Sequence, residues 1–116
     1  MLPLNIRIIE RSIDEPVTVE GDLNAENAAE FESRMRAINS DPSRRIILNF
    51  SALDIEDGVG IATAVNVLRE LRSRTNHLVL VGAPQMLGHN LYRIGLLDGS
   101  AAIELVDMRE DEPAGF

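Results

Sequence analysis

Cysteine and lysine are both absent from the 116-residue sequence, and histidine occurs only twice. Without cysteine there is no disulfide framework, no thiolate metal site and no thiol nucleophile. His77 is predicted at the start of a strand and His89 on a helix, where a surface or boundary role is commoner than metal binding or catalysis. These shortages leave little support for metal or acid–base chemistry.

Long apolar runs are missing as well, and so is a secretory signal. No run approaches the roughly 20 apolar residues that a transmembrane helix needs, and the N-terminus lacks a basic region followed by an apolar stretch and a small-residue cleavage site. We therefore expect a cytoplasmic protein that is not embedded in a membrane. The formal net charge of -8 would repel nucleic acid phosphates and favours a basic protein partner.

The first half of the sequence predicts a hairpin, a helix and a buried strand. "NIRIIERS" and "PVTVEGDL" are β-branched segments on either side of an acid–proline turn, a pattern typical of a hairpin. The helix that follows is expected to be capped by Asn24 and to end near Asn39, before the acid–proline pair at residues 41–42. Its buried stripe should comprise Ala28, Phe31, Met35 and Ile38. "RRIILNF" is a continuous apolar run and predicts a strand covered on both faces.

Two more helix–strand pairs are predicted in the second half. A second helix should bury Ile61, Val65, Leu68 and Leu71. It leads into the strand "HLVLVG", and "PQMLGHNLYRIG" predicts a third helix that ends at Gly95 and packs through Leu87, Leu91 and Ile94. With "AAIELV" as the last strand, the order is β-β-α-β-α-β-α-β. This order predicts a single α/β domain over residues 1–107, followed by an acidic, flexible tail over residues 108–116. In this domain three or more helices pack on a mixed sheet that is mainly parallel, with right-handed crossovers, after its N-terminal hairpin.

The stretch "DIEDGVGIATAVNVL", residues 54–68, joins an acidic, glycine-containing turn directly to the second helix. This turn is predicted at the carboxyl edge of the sheet, where functional sites commonly lie. Asp57 is placed to cap a helix that begins at Gly58 or Val59, and the glycines Gly58 and Gly60 would let a partner approach the backbone closely. The sequence leaves open the simpler alternative that these residues only cap the helix and shape the turn.

Several reactive sites are disfavoured in this turn. A phosphate-binding loop usually carries a lysine, whereas Asp54, Glu56 and Asp57 would repel the ligand. The same three carboxylates lack the alternating pattern of a calcium or magnesium loop. A phospho-receiver domain requires a lysine, and no Ser-His-Asp arrangement with a strained nucleophile turn is present. We therefore expect no active site, no metal site and no cofactor.

The chain as a whole, from about Ile6 to Val106, resembles the STAS family, the domain shared by sulfate transporters and bacterial anti-sigma-factor antagonists. "VTVEGDLNAENAAEFE" is similar to the family's second strand and its Gly-acid-Leu-Asp turn. "RRIILNFSALDIEDGVGIATAV" is similar to the segment that carries the family's Asp-Ser-Ser-Gly-Leu signature, and "LVLVGAPQMLGHNLYRIGLL" to the strand and helix that follow.

The resemblance implies a recognition turn without its usual switch. In stand-alone members the signature serine is phosphorylated by a partner kinase, which is itself an anti-sigma factor, and the added charge disrupts binding. Here the signature aspartate is Asp57, and its two serines are replaced by Gly58 and Val59, so the phosphoacceptor position, Gly58, has no hydroxyl. The rest of the signature, glycine then leucine, corresponds to Gly60 and Ile61.

Four other positions bear on this implied switch. Asn24 and Asn49 stand where the family usually has aspartate. Ser51 and Thr63 are the remaining candidate phosphosites near the signature.

Two functions from different classes follow from the resemblance. The first is a non-enzymatic binding module of the anti-sigma-factor-antagonist type, which docks on an anti-sigma factor, a serine kinase or a signalling scaffold through Asn24, Asp54, Glu56, Asp57, Gly58, Val59 and Gly60. The alternative is a small cytoplasmic STAS subunit of a lipid-transport ABC transporter, whose partner is the transporter ATPase. A small-ligand sensor is a weaker third hypothesis, and the sequence leaves open whether the chain forms a homodimer.

Overall fold

The computed structural model describes residues 6–10, 15–38, 45–97 and 103–106. The strands are β1 (Ile6–Ile9), β2 (Val17–Leu23), β3 (Arg45–Ile55), β4 (His77–Val81) and β5 (Glu104–Val106), and the helices are α1 (Ala28–Arg36), α2 (Gly58–Arg74) and α3 (Gln85–Arg93). The order β-β-α-β-α-β-α-β and the α/β class are those predicted from the sequence. α1 ends at Arg36, three residues before the expected end near Asn39. The expected tail, residues 108–116, lies outside the described residues.

One five-stranded sheet forms the centre of the fold, with the strands in the order β1-β2-β3-β4-β5. β1 and β2 pair antiparallel, which confirms the hairpin, and each later neighbour pairs parallel. The parallel pairs require crossover connections, and the three helices supply them. None of these helices is long and apolar enough to pass through a bilayer.

The helices pack on one face of the sheet. In β3 the side chains of Ile46, Leu48 and Phe50 are buried, whereas Ile47 and Asn49 between them are only half-buried. The prediction that this strand is covered on both faces was therefore wrong, because the apolar run reflects full burial on one face and partial cover on the other. The same core cluster contains Phe31 of α1 and Leu68 of α2, together with Leu87 and Leu91 of α3.

A β-bulge in β3 changes which residues face the helices. Thr18 pairs with Asn49 but Glu20 pairs with Ala52, so Phe50 and Ser51 together lie opposite the single residue Val19. The extra residue shifts the alternation by one position. After the bulge the odd-numbered Leu53 is buried, whereas Ala52 and Asp54 are exposed. The pairing offset between β2 and β3 also increases by one residue for the rest of the strand.

A tight backbone contact between β3 and the end of β4 lies beside this bulge. Gly82 has a φ of +65°, and a Cβ atom there would lie 2.7 Å from Ser51 Cβ and 2.8 Å from Ser51 Cα. The Gly82 N–H donates to the Val106 carbonyl at 2.7 Å. Glycine at this position therefore lets the chain leave β4 close to β3 while remaining bonded to β5.

Two details of the helix predictions were wrong. α1 begins at Ala28 with Asn27, not Asn24, in the cap position. Ile94, predicted to pack with Leu87 and Leu91, follows the end of α3 and is 46% exposed. The buried stripe of α2 was predicted well, because Val65, Leu68 and Leu71 are buried, and Ile61 packs against the core from a half-buried position.

Candidate functional site

The turns that follow β2 and β3 lie side by side at the carboxyl edge of the sheet. The two strands end in register, with Leu23 opposite Ile55. Because this offset of 32 residues continues past the strands, Asn24 meets Glu56 and Ala25 meets Asp57. The bulge in β3 sets this offset, so the register of the sheet decides which residues of the two turns come together.

Three hydrogen bonds join the two turns. The Asn24 side-chain amide donates through Nδ2 to Glu56 Oε1 at 2.7 Å. The Ala25 N–H donates to Asp57 Oδ2 at 2.9 Å, and the Glu56 N–H donates to the Leu23 carbonyl at 2.8 Å. These bonds make the two turns one continuous surface formed by segments that are far apart in sequence.

Asp57 occupies the cap position of α2, as the sequence predicts. Its Oδ1 accepts from the Gly60 N–H at 2.8 Å, while its Oδ2 is engaged by Ala25. These bonds, the one from Gly60 first and then those from Ala25 and Val59, hold the pKa of the Asp57 carboxyl below its usual value, although partial desolvation opposes them. Asp57 therefore both caps α2 and ties it to the preceding turn.

Asn24 has a different role from the predicted helix cap. Its Oδ1 accepts from the Glu26 N–H at 2.9 Å and from the Asn27 N–H at 3.3 Å, which closes a turn ahead of α1. Asn27 is buried, accepts from the Asn24 N–H through Oδ1, and donates to the Asp22 carbonyl. Sequence reasoning did not identify Asn27, although the spacing of two asparagines three residues apart is a signal for such reciprocal bonding.

Gly58 and Gly60 lie in very different surroundings. A Cβ atom at Gly58 would meet no atom within 4 Å, whereas one at Gly60 would lie 2.9 Å from Ile55 Cγ2 and 3.0 Å from the Leu23 carbonyl oxygen. Gly60 is thus needed where α2 packs on the ends of β2 and β3. Gly58, the first residue of α2, is open to solvent.

A groove between α2 and α3 begins at this turn. We call it the α2–α3 groove; its volume is about 680 Å³, and its lining residues are Ile55, Glu56, Asp57, Gly58, Ile61, Ala62, Val65, Asn66, Met86, Asn90 and Ile94. The lining is mainly apolar, and its only ionisable groups are the two carboxylates. Met86 and Ile94 are 61% and 46% exposed. No local sequence pattern indicates this groove, because its walls come from separate elements.

Some residues expected at this site lie apart from it. Asp54 belongs to β3, where it pairs with Asp22, and it does not line the groove. Ser51 is half-buried at the bulge, and its Oγ donates to Asn49 Oδ1 at 2.6 Å. Thr63 donates through Oγ1 to the Val59 carbonyl within α2 at 2.8 Å. Both candidate phosphosites therefore have hydroxyls that already donate hydrogen bonds.

The site offers little to a metal ion. Over the described ranges, no three histidine, aspartate or glutamate side chains come together in a way that could hold one. His77 lies at the start of β4, where its Nε2 is 2.8 Å from Oε1 of Glu104 at the start of β5. This pair therefore lies at the amino ends of the strands, away from the turns, and His89 is exposed on α3. The described part of the turns and the groove therefore lacks a cluster of side chains that could hold a metal ion.

Comparisons with known proteins agree with this architecture. The sequence profile of the STAS domain matches residues 9–110. Among solved structures, the chain is similar to the anti-sigma factor antagonist SpoIIAA in its unphosphorylated form, with a TM-score of 0.54 and 19% sequence identity over 91% of each chain. A likeness at this identity shows the shared fold, and the profile match covers most of the sequence. The chain belongs to the STAS domain family.

Proposed function

We propose that this chain is a non-enzymatic regulatory module of the anti-sigma-factor-antagonist type that docks on a kinase-like anti-sigma factor or signalling scaffold. The docking surface comprises Glu56, Gly58, Val59, Met86 and Ile94. The likeness to SpoIIAA, an anti-sigma factor antagonist, supports this type of function. The observation that carries the proposal is the open position of Gly58 at the start of α2, beside an exposed apolar groove.

Exposed apolar side chains on this surface support protein binding. Val59, Met86 and Ile94 are 52%, 61% and 46% exposed. Met86 and Ile94 line the groove, and Val59 follows its lining residue Gly58. Large exposed apolar groups with polar neighbours are typical of interaction sites. We infer that a partner covers these side chains and that their burial contributes most of the affinity.

The charge of the surface favours a basic partner. Glu56 and Asp57 are the ionisable groups that line the α2–α3 groove, and the whole chain has a formal net charge of -8. Arginine or lysine on the partner would complement them. Charges at the rim of an interface mainly influence the association rate and the choice of partner, so we expect capture to weaken as salt rises.

The proposed module is not switched by phosphorylation at the usual position. Gly58 has no hydroxyl, and a phosphoryl group would add about -1.5 to -2 charges there. Ser51 lies four residues before Ile55, the last residue of β3, which corresponds to roughly 13 Å along the strand. Its hydroxyl already donates to Asn49. We infer that the docking surface keeps the unphosphorylated state.

A pull-down with the chain as bait tests the proposal. Wild type should capture an ATP-binding, kinase-like protein, and Gly58→Glu should reduce that capture at least about tenfold, because it places a charge on the docking surface. The added side chain meets no atom within 4 Å of its Cβ position, and a carboxylate at the start of a helix is favourable, so folding should be preserved.

Asn76→Asp is the matched control, because it adds the same charge at an exposed residue beyond the far end of α2. It should capture the partner as wild type does. If folded Gly58→Glu protein captures the same partner as well as wild type, this surface is not the docking face. Phosphorylation of Ser51 or Thr63 by a captured kinase, with loss of binding, would contradict the inference that the docking surface keeps the unphosphorylated state.

The second candidate is a small cytoplasmic STAS subunit of a lipid-transport ABC transporter. The missing phosphoacceptor at Gly58 favours it, because such a subunit needs no phosphorylation to hold its partner. Recovery of a transporter ATPase in the same pull-down would favour this candidate over the first. A small ligand is a third hypothesis, since the groove volume lies in the range of about 300–1,000 Å³ found for ligand pockets, and thermal-shift screening tests it.

A further inference from the structure

We propose that Asn24 is a positioning residue whose side-chain amide fixes the Glu56 carboxylate and holds the turns after β2 and β3 in one conformation before any partner binds. The Asn24 Nδ2 to Glu56 Oε1 distance is 2.7 Å. The bond itself is independent of the proposed function, whereas its value for docking rests on that function.

The orientation of the Asn24 amide is determined by its neighbours. Its Oδ1 accepts from the N–H groups of Glu26 and Asn27 at 2.9 and 3.3 Å. A rotation that exchanged Oδ1 and Nδ2 would place two amide hydrogens against these two donors. Nδ2 therefore has to point away from α1, and it points toward Glu56.

Glu56 depends on this amide for its position. The side chain is exposed and, among the described residues, no arginine forms an ion pair with it. An exposed glutamate without a fixed partner samples several rotamers, and ordering it on binding costs free energy. The Asn24 amide removes that cost in advance, and the charge-assisted bond is stronger than a neutral one.

The chemistry at position 24 is specific to an amide. Aspartate has nearly the same shape and would still accept from Glu26 and Asn27, but it would place a second carboxylate against Glu56. Two like charges at hydrogen-bond distance repel each other. Asn24→Asp thus removes the cross-turn bond and leaves the local turn intact, which makes it a sharper test than alanine.

A set of three variants tests the positioning role on the free protein. The readout is the hydrogen-exchange protection of the Ala25 and Glu56 amides, which form the other two bonds between the turns. At neutral pH, Asn24→Asp should lower this protection roughly three- to tenfold. Glu56→Gln should stay within about twofold of wild type, because Gln Oε1 still accepts from Asn24.

The double variant Asn24→Asp with Glu56→Gln should restore protection, because the glutamine amide can donate to the new aspartate. A purely structural role for Asn24 would not show this rescue. Unchanged protection in Asn24→Asp, or no rescue in the double variant, would overturn the positioning role.

The captured partner then tests whether this order serves docking. Asn24→Asp should weaken capture in proportion to its loss of protection, since apparent affinity falls with the population of the competent conformation, and the double variant should restore it. If Asn24→Asp opens the turns but binds the partner as wild type does, the docking role of the bond is wrong. If wild type captures no specific partner, the proposed function fails while the exchange results stand.

Discussion

Asp57 and Gly58 are adjacent, yet the surrounding atoms constrain them in opposite ways. Both carboxylate oxygens of Asp57 accept backbone N–H groups, from Gly60 and from Ala25. Gly58 has no atom within 4 Å of a Cβ position. The Asp57 carboxylate therefore serves to stabilise the fold, whereas Gly58, which has no side chain, lies at the exposed surface.

The contribution of Asp57 to stability should depend on pH. Its folded-state pKa is lowered, chiefly by the Gly60 hydrogen bond and next by that from Ala25. The ionised group therefore stabilises the fold fully above its unfolded-state pKa of about 3.9, and this contribution is lost as the pH falls through the folded-state value. Asp57→Asn should thus be less stable than wild type at pH 7, and the two should converge in acid.

Urea midpoints at neutral and acidic pH measure this convergence. Asparagine is the suitable replacement because it keeps one acceptor oxygen for Gly60 while it cannot accept from Ala25 with its amide nitrogen. A difference between wild type and Asp57→Asn that stayed constant from pH 7 to about pH 3 would show that the ionised carboxylate contributes nothing beyond one hydrogen bond.

At the scale of elements, periodicity predicted the strands and helices well, but it missed details that neighbouring elements decide. The apolar run of β3 predicted two buried faces, whereas the sheet is fully covered on the helix side and only partly on the other, where Ile47 is half-buried. Asn24 has the residue type preferred at a helix cap, yet its Oδ1 accepts from the Glu26 N–H and closes a turn that precedes α1. Ile94 continues the apolar spacing of α3 but lies just beyond its end.

The packing of α2 against the sheet depends on Gly60. Gly60→Ala should destabilise the fold by about 1–3 kcal/mol, because the new methyl group would lie 3.0 Å from the Leu23 carbonyl oxygen and 2.9 Å from Ile55 Cγ2. The Ile55 methyl group can move aside, but the backbone oxygen cannot without a shift of β2. Urea denaturation monitored by circular dichroism gives the free energy of unfolding.

Gly58→Ala is the matched control in the same turn of α2. It should be neutral or stabilise the fold by up to about 1 kcal/mol, since alanine has a higher helix propensity than glycine and the position is open. Equal effects of the two substitutions would mean that the close contact at Gly60 does not constrain the start of α2.

At the scale of the whole molecule, the α2–α3 groove joins the acidic turns to an exposed apolar wall. Its lining residues come from the end of β3 and from both helices, and they include Ile55, Val65 and Met86. Met86 and Asn90 are four residues apart on α3, and Ile94 follows at the same spacing just past its end, so the three form one stripe along this wall. The fold leaves this stripe without a partner from the described part of the chain, which is consistent with a surface that a second protein covers.

Substitution of this stripe should affect binding and not folding. Met86→Asp should weaken partner capture at least about tenfold, because it places a charge on the apolar wall of the proposed docking surface. Its exposure of 61% implies little loss of stability. Tyr92→Asp is the control: Tyr92 is equally exposed on α3, at 64%, but it does not line the groove.

Thermal melts establish that both variants are folded before their capture is compared. Equal loss of capture in Met86→Asp and Tyr92→Asp would indicate that the added charge acts at long range. Equal retention in both would place the docking surface elsewhere on the molecule.

The sequence by itself determined the order of elements, the hairpin, the cap of α2 by Asp57 and the absence of a hydroxyl group at Gly58, because each of these depends on local propensity or on residue type. Tertiary structure alone decided which turn residues meet, since the bulge at Phe50 and Ser51 sets the register that pairs Asn24 with Glu56. It also created the groove, whose walls are distant in sequence. Local patterns cannot specify an offset of 32 residues, because that offset results from how the whole sheet is assembled.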